Sequence, residues 1–260
     1  MNQGSPRVIA FLTDFGLRDH YVGVMKGVAL SICPEAVLVD LTHEVDPQNI
    51  AQGAYLLGAS FRYFPKGTVF VAVVDPGVGT ERRGLCVVAE GRFFVGPDNG
   101  LFTLVYDRAQ EFVAYELQNQ TYFLPQQSTT FHGRDIFAPV AAHLARGLNP
   151  STLGPQVADT VRLPWPQVSL EPGRIRGAVI YVDRFGNLVT NIPQEHLEGK
   201  FIKAVCFAGK RLSFKRTYAE VASGEPLALI GSDGLLEIAV SMDSAAKFFG
   251  QEGEVLVEFD

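Results

Sequence analysis

What the chain has little of narrows it first. It holds three cysteines in 260 residues, Cys33, Cys86 and Cys206, far apart and in apolar surroundings. An odd count, no CxxC pair and no legible secretory leader exclude a disulfide framework. They lead to an expectation of free, mostly buried thiols in a reducing cytoplasm. Asn119-Gln120-Thr121 fits a glycosylation sequon, and without a leader it reads as chance. There is no Lys/Arg-rich run and the net charge is −6, which argues against a nucleic-acid groove or an anionic membrane surface as partner. No apolar run reaches the ~20 residues needed to span a bilayer. No HExxH, no close histidine pair and no Asp-x-Asp occurs, so the usual spacings of a divalent metal site are missing. Gly77, Gly79 and Gly84 have the wrong spacing for GxGxxG, and a strand-like run follows them where a dinucleotide site needs a helix. No internal repeat or low-complexity tract is visible.

What is present is a chain that is 47% hydrophobic, enough for a substantial core. Val69–Val74 is an apolar, β-branched run, the mark of a strand buried on both faces. It ends on Asp75, and Pro76-Gly77-Val78-Gly79 stops it. Val8–Thr13 is a similar strand that ends on Asp14. Between them the spacing predicts a helix over Tyr21–Cys33 closed by Pro34, a strand over Ala36–Leu41, and a helix over Asn49–Tyr63. Strand, helix, strand, helix, strand is the pattern of a parallel sheet with covering helices. Gly84–Glu90 and Arg92–Val95 are expected to extend that sheet. Ile136–Arg146 reads as a helix capped by Gly147.

From Pro150 to Gly173 five prolines appear and helical period is lost, so a boundary is placed there. Beyond it Gly177–Asp183, Leu188–Ile192, Ala204–Phe207, Arg211–Phe214, Leu227–Ile230, Leu235–Val240 and Glu254–Phe259 are short strands between turns. The expected organisation is an N-terminal α/β parallel-sheet domain, residues 1–163, and a smaller C-terminal all-β barrel, residues 173–260.

The N-terminal part offers Asp14, Asp19, His20, His43, Asp75, Arg82, His132 and Asp135, mostly just past strand ends or in loops. Open α/β sheets bind ligands at the carboxyl ends of their strands. These groups could hold a divalent metal or line a metal-free polar pocket, and the residues alone leave both open. Asp14 suits a ribose diol, since an ionised carboxylate only accepts, and equally suits a helix N-cap. His132 is either catalytic or structural. In the C-terminal part a strand ends on Asp183, and Arg184-Phe185-Gly186-Asn187 follows. One aromatic ring and one amide can stack on and hydrogen-bond a purine, and Gly-Asn also makes a plain hairpin turn.

FLTDFGLRDHYVGVMKG, VVDPGVGTERRGL, GPDNGL, TFHGRD and VDRFGNLVTNI, in this order, resemble the S-adenosyl-L-methionine hydroxide adenosyltransferase family. Its members hydrolyse S-adenosyl-L-methionine (SAM) to adenosine and L-methionine, and it is a sister of the fluorinase and chlorinase. The resemblance runs from Val8 to the last strand. It implies a homotrimer with active sites between the α/β domain of one subunit and the barrel of the next. SAM is then a substrate, with no separate cofactor and no metal. The water-handling roles fall on Asp75, Arg82 and His132, and the ribose carboxylate on Asp14. Phe185 and Asn187 line the adenine side. Asp183 and Ser232 take the methionine ammonium and carboxylate, and the backbone near Val240–Met242 touches adenine.

The departures point to the hydrolase branch. Where fluorinase-like enzymes have an aromatic residue, a hydroxyl residue and a serine, this chain has Asp75, Val78 and Gly133. An anionic Asp75 repels halide. Ser232 is followed by Asp233 where the halogenases have Arg. Two other readings fit some of the same residues: a non-catalytic adenosine- or SAM-binding regulator, and a halide-using relative.

Overall fold

A computed structural model describes residues 7–260. The chain separates into two compact units, Met1–Leu163 and Pro164–Asp260.

The first unit is built on β1 (Val8–Thr13), α1 (Tyr21–Ile32), β2 (Val37–Thr42), α2 (Ile50–Ser60), β3 (Val69–Val73), β4 (Gly84–Ala89), β5 (Arg92–Pro97), α3 (Thr103–Arg108), β6 (Phe112–Glu116), α4 (Ala138–Ala145) and β7 (Gln156–Val157). The strand order is β2-β1-β3-β5-β4-β6-β7. Every residue of β1 and β3 is buried, because helices cover both faces. On one face Phe11, Val71 and Val73 pack with Met25 of α1 and Val140 of α4. On the other, Leu12, Phe70 and Ala72 pack with Leu57 of α2 and Val105 of α3. The alternation along each strand sends neighbouring residues to opposite cores.

The sheet is mixed. β2, β1, β3 and β5 run parallel, while β4 lies antiparallel to β5 and β6. The parallel expectation therefore holds for four strands and gives way at the hairpin Glu90-Gly91, where both residues have positive φ (51° and 73°). A two-residue turn of that kind joins only antiparallel neighbours. α3 and β6 were not foreseen. At the end of α4, Gly147 (φ 96°) donates to Leu144 O and Leu148 to His143 O, the paired bonds of a Schellman stop.

The second unit contains β8 (Ser169–Glu171), β9 (Arg174–Val182), β10 (Leu188–Pro193), β11 (Ile202–Phe207), β12 (Lys210–Phe214), β13 (Pro226–Ile230), β14 (Leu235–Val240), α5 (Ala245–Phe249) and β15 (Glu254–Phe259). The order is β10-β14-β13-β12-β11-β15-β9-β8, and β9 also pairs with β10. That pairing closes seven strands into a barrel and leaves β8 as a flap on β9. The closure removes the free edges that an open sheet would expose. Leu188, Val205, Ile238, Val240 and Val257 fill the interior together with Ala245 of α5.

Candidate active site

β1 and β3 are parallel neighbours with Thr13 opposite Val73. Their carboxyl ends therefore lie side by side, which places Asp14 and Asp75 on the edge where such sheets take ligands. Asn99 Nδ2 donates to Val74 O at 2.8 Å and fixes the strand end just before Asp75. The turn after Asp75 requires glycine at 79: φ is 79°, and a Cβ there would lie 2.3 Å from Thr129 O. This close approach seats the 76–80 turn against the loop that leads to His132.

Asp75 and Arg82 form a buried fork. Arg82 Nε lies 3.0 Å from both Asp75 oxygens and Nη2 lies 2.5 Å from Oδ2, with the Asp75 side chain 4% exposed. The same Nη2 is 2.8 Å from His132 Nδ1. A guanidinium carries donors only, so His132 Nδ1 accepts and the neutral ring holds its proton on Nε2. Burial first, and the Arg82 charge second, hold the His132 imidazolium below its usual range against the opposing pull of Asp75 and Asp135. Arg82 also lies over the Phe137 ring at 5.3 Å. His132 opens a π-helical turn, Gly133–Phe137, that runs into α4; such turns re-aim side chains within a helix. A Cβ at Gly133 would meet Met25 Sδ at 3.1 Å and Phe131 at 3.4 Å, so a serine there would have to push Met25 aside.

The other expected polar groups of this unit separate by role. Asp135 is fully buried and spent on Arg134 and on Ser128 N, so it braces the 128–130 loop. Asp14 accepts from Gln48 N at 2.8 Å. His20, not Asp14, is the N-cap residue of α1 and makes no side-chain cap bond, so Asp14 does not cap that helix. Behind Asp14 runs a chain of hydrogen bonds. Lys26 Nζ is 2.6 Å from Asp40, Asp40 is 2.9 Å from His43 Nε2, and His43 Nδ1 is 2.8 Å from Thr13 Oγ1, which accepts from Phe15 N. This chain orders the start of the 14–20 loop. Asp19 and His20 are exposed on that loop. Among the described residues no group of three His, Cys, Asp or Glu is placed to hold a metal ion.

In the barrel unit, Asp183, Phe185, Asn187, Ser232, Val240 and Met242 all line one cavity of about 860 Å³, within the size range of small-molecule sites. Asp183 builds the β9–β10 turn: Oδ1 accepts from Phe185 N and Asn187 N, both at 2.8 Å, and Oδ2 accepts from Asn187 Nδ2 at 2.9 Å. Gly186 (φ 85°) lets the turn close on Ser244, whose Oγ would lie 2.0 Å from a Cβ. Phe185 (77% exposed) and Met242 (90%, φ 60°) present bare apolar surface at the rim. The sequence reading missed Glu237 and Tyr218, which line the same cavity and are joined at 2.6 Å. LLEIAV reads as a strand with one solvent-facing carboxylate; nothing local signals that Tyr218, nineteen residues upstream, meets it.

An α/β unit with a charged cluster at its strand ends, and a barrel unit with a cavity of small-molecule size, define a two-unit protein built to handle a small molecule. The SAM hydroxide adenosyltransferase N-terminal domain matches residues 9–154 and the corresponding C-terminal domain residues 177–258. The chain belongs to the SAM hydroxide adenosyltransferase family. It is 44% identical to an (R)-S-adenosyl-L-methionine hydrolase of Thermus thermophilus, over 94% of this chain and 96% of the relative. It is 30% identical to a fluorinase of Actinopolyspora mzabensis, over 92% of each. A crystal structure of an uncharacterised conserved protein from Thermotoga maritima superimposes with TM-score 0.89 at 37% identity, over 96% of this chain and 99% of that one.

Proposed function

We propose that the protein is an enzyme that hydrolyses SAM to adenosine and L-methionine by direct attack of water on the ribose 5′ carbon. The carrying observation is the Asp75–Arg82–His132 cluster: three residues far apart in sequence meet through one guanidinium. A molecule that only binds a nucleoside has no need of it. SAM is consumed as substrate, and the donors of this cluster are engaged with one another rather than arranged around a metal.

The departing group is a neutral thioether, so no general acid is required. The catalytic task is to aim a water and accept its proton. In this reading, His132 Nε2–H and a remaining Arg82 N–H donate to the attacking oxygen and stabilise hydroxide character as it develops. Asp75 Oδ1 receives one Arg82 contact and retains a lone pair, so it takes the proton. Low polarity around the reacting pair favours neutralisation of sulfonium by hydroxide. Positioning of water and substrate could contribute on the order of 7 kcal/mol. The 4%-exposed Asp75 carboxylate would repel halide, which disfavours a halide-using reading.

Asp14 is assigned to the ribose diol, Phe185 and Asn187 to adenine with the Val240–Met242 backbone, and Asp183 and Ser232 to the methionine end. The exposed apolar rim of Phe185 and Met242 suits cover by a neighbouring subunit. The resemblance supports a homotrimer with each site shared between the α/β unit of one chain and the barrel of another, and the unpaired cysteines suit a reducing cytoplasm. Mixing inactive Asp75→Ala and inactive Asn187→Ala proteins, with subunit exchange verified by mass, should then restore measurable turnover. No recovery would place the whole site in one chain.

The reaction itself is tested by a single turnover in ¹⁸O-labelled water with enzyme in excess. Direct attack puts the label in the adenosine 5′ hydroxyl. Unlabelled first-turnover adenosine with label on Asp75 would show covalent catalysis instead, and no adenosine at all would remove the hydrolase reading.

A further inference from the structure

Glu237 is a carboxylate without a counter-charge. It lies on β14, whose Leu236, Ile238 and Val240 point into the barrel. Glu237 therefore faces outward with Ala239, yet it is only 7% exposed, because it lies in the wall of the 860 Å³ cavity with Tyr218. Its Oε1 accepts from the Tyr218 hydroxyl at 2.6 Å. Its Oε2 lies beside Gly231, where a Cβ would come within 2.9 Å, so the glycine leaves room for that oxygen. Among the described residues no lysine, arginine or histidine makes an ion pair with it. A buried carboxylate met by a neutral hydroxyl and no cation is costly. Burial lifts its pKa; Tyr218 pulls the other way, and Asp183 and Asp233 add to the rise.

The rest of the cavity has the same sign. Its charged lining is Asp183, Glu237 and Asp243 against Lys247 alone. Asp183 has little capacity left: Oδ1 already accepts two N–H bonds and Oδ2 one, which leaves a single acceptor site on a carboxylate that offers about four. An ammonium brings three donors. One can go to Asp183 Oδ2; another needs a second acceptor in the same cavity.

We propose that Glu237, held by Tyr218 and given room by Gly231, is a specificity-determining residue that pairs with the α-ammonium at the amino-acid end of the substrate. This rests on the SAM reading above and deepens it: Asp183 chiefly shapes the turn, and Glu237 supplies the missing negative charge. A ligand ammonium then offsets part of the net negative charge of the cavity lining.

Calorimetric binding tests this without turnover, using S-adenosyl-L-homocysteine and its counterpart lacking the amino group. Wild type should prefer the amino compound by about ten-fold or more, the range of one charge-assisted hydrogen bond. Glu237→Gln keeps the shape and should erase most of that preference while leaving the desamino ligand's affinity unchanged. Tyr218→Phe keeps the carboxylate and should cost a smaller part of the preference, more at pH 6 than at pH 8. Equal weakening of both ligands in Glu237→Gln would show a structural role and overturn the proposal. So would an intact preference in both variants, or no preference in wild type. The hydrolase reading fails separately, if the same wild-type preparation forms no adenosine from SAM.

Discussion

At the end of β3, the Asp75 side chain is buried and its charge is met by an arginine fork; in the barrel wall, Glu237 is buried and is met by a tyrosine hydroxyl. The two carboxylates are both hidden and differently satisfied. The α/β cluster is closed on itself: Asp75 balances Arg82, and Arg82 fixes the histidine tautomer. Its geometry is set before a ligand arrives, which is what transition-state stabilisation needs. The barrel cavity is left open and negative, with Phe185 and Met242 bare at its rim. Its interactions are completed by what binds. If, as proposed, the first cluster serves the chemistry and the second cavity recognition, substitutions in the two should fail in different kinetic constants.

The largest effect should come from Arg82. Arg82→Lys keeps the charge but cannot grip both Asp75 oxygens and reach His132, since an ammonium has no planar fork. We expect kcat to fall by ~10²–10³-fold, with KM changed by no more than about 3-fold. Arg82→Ala should in addition lose about 3–5 kcal/mol of stability by stranding Asp75, visible in urea melts. A rise in KM with kcat preserved would erase the proposed difference between the halves.

Phe185→Ala probes the other half. Loss of an exposed ring that we assign to the adenine should raise KM by about ten-fold and leave kcat within a factor of about three. The ring is so exposed that the melting temperature should hardly move. A fall in kcat as large as that of Arg82→Lys would mean that the rim also aligns the reacting atoms.

Much of this was legible because strong local signals and tertiary structure agree. Runs such as VIAFLT and VFVAVV read as buried strands and are so, and all seven barrel strands lie where short strand-like runs stand between turn residues. Asp14 and Asp75 could be placed at strand ends because the apolar runs stop on them. What was not legible depends on distant partners. The direction of β4 is set by a hairpin turn that pattern alone does not orient. Asp135 looks like a candidate site group, yet Arg134 and Ser128 N consume it. Glu237 passes as a surface residue until Tyr218 is seen beside it. In each case the deciding contact is one the local pattern does not show.

The smallest expected effect is a titration, and it bears on how closed the α/β cluster is. Free histidine titrates near 6.5. In the folded protein His132 is held below that, by burial first and by Arg82 next. Below pH 6.5 the unfolded chain therefore takes up this proton before the folded one does. His132 then subtracts from stability as pH falls through the interval down to its folded pKa, and has no effect above 6.5. Activity should follow the same order: the neutral ring is the form that accepts from Arg82, so the acid limb of kcat should lie below 6.5. NMR titration of the His132 ring can read this directly in the resting protein. In Arg82→Gln the second cause is gone while most of the burial remains, so the titration should move up. Wild-type His132 titrating at or above 6.5 would mean that Arg82 and His132 are not in contact in solution, and the preorganised half of the comparison would lose its support.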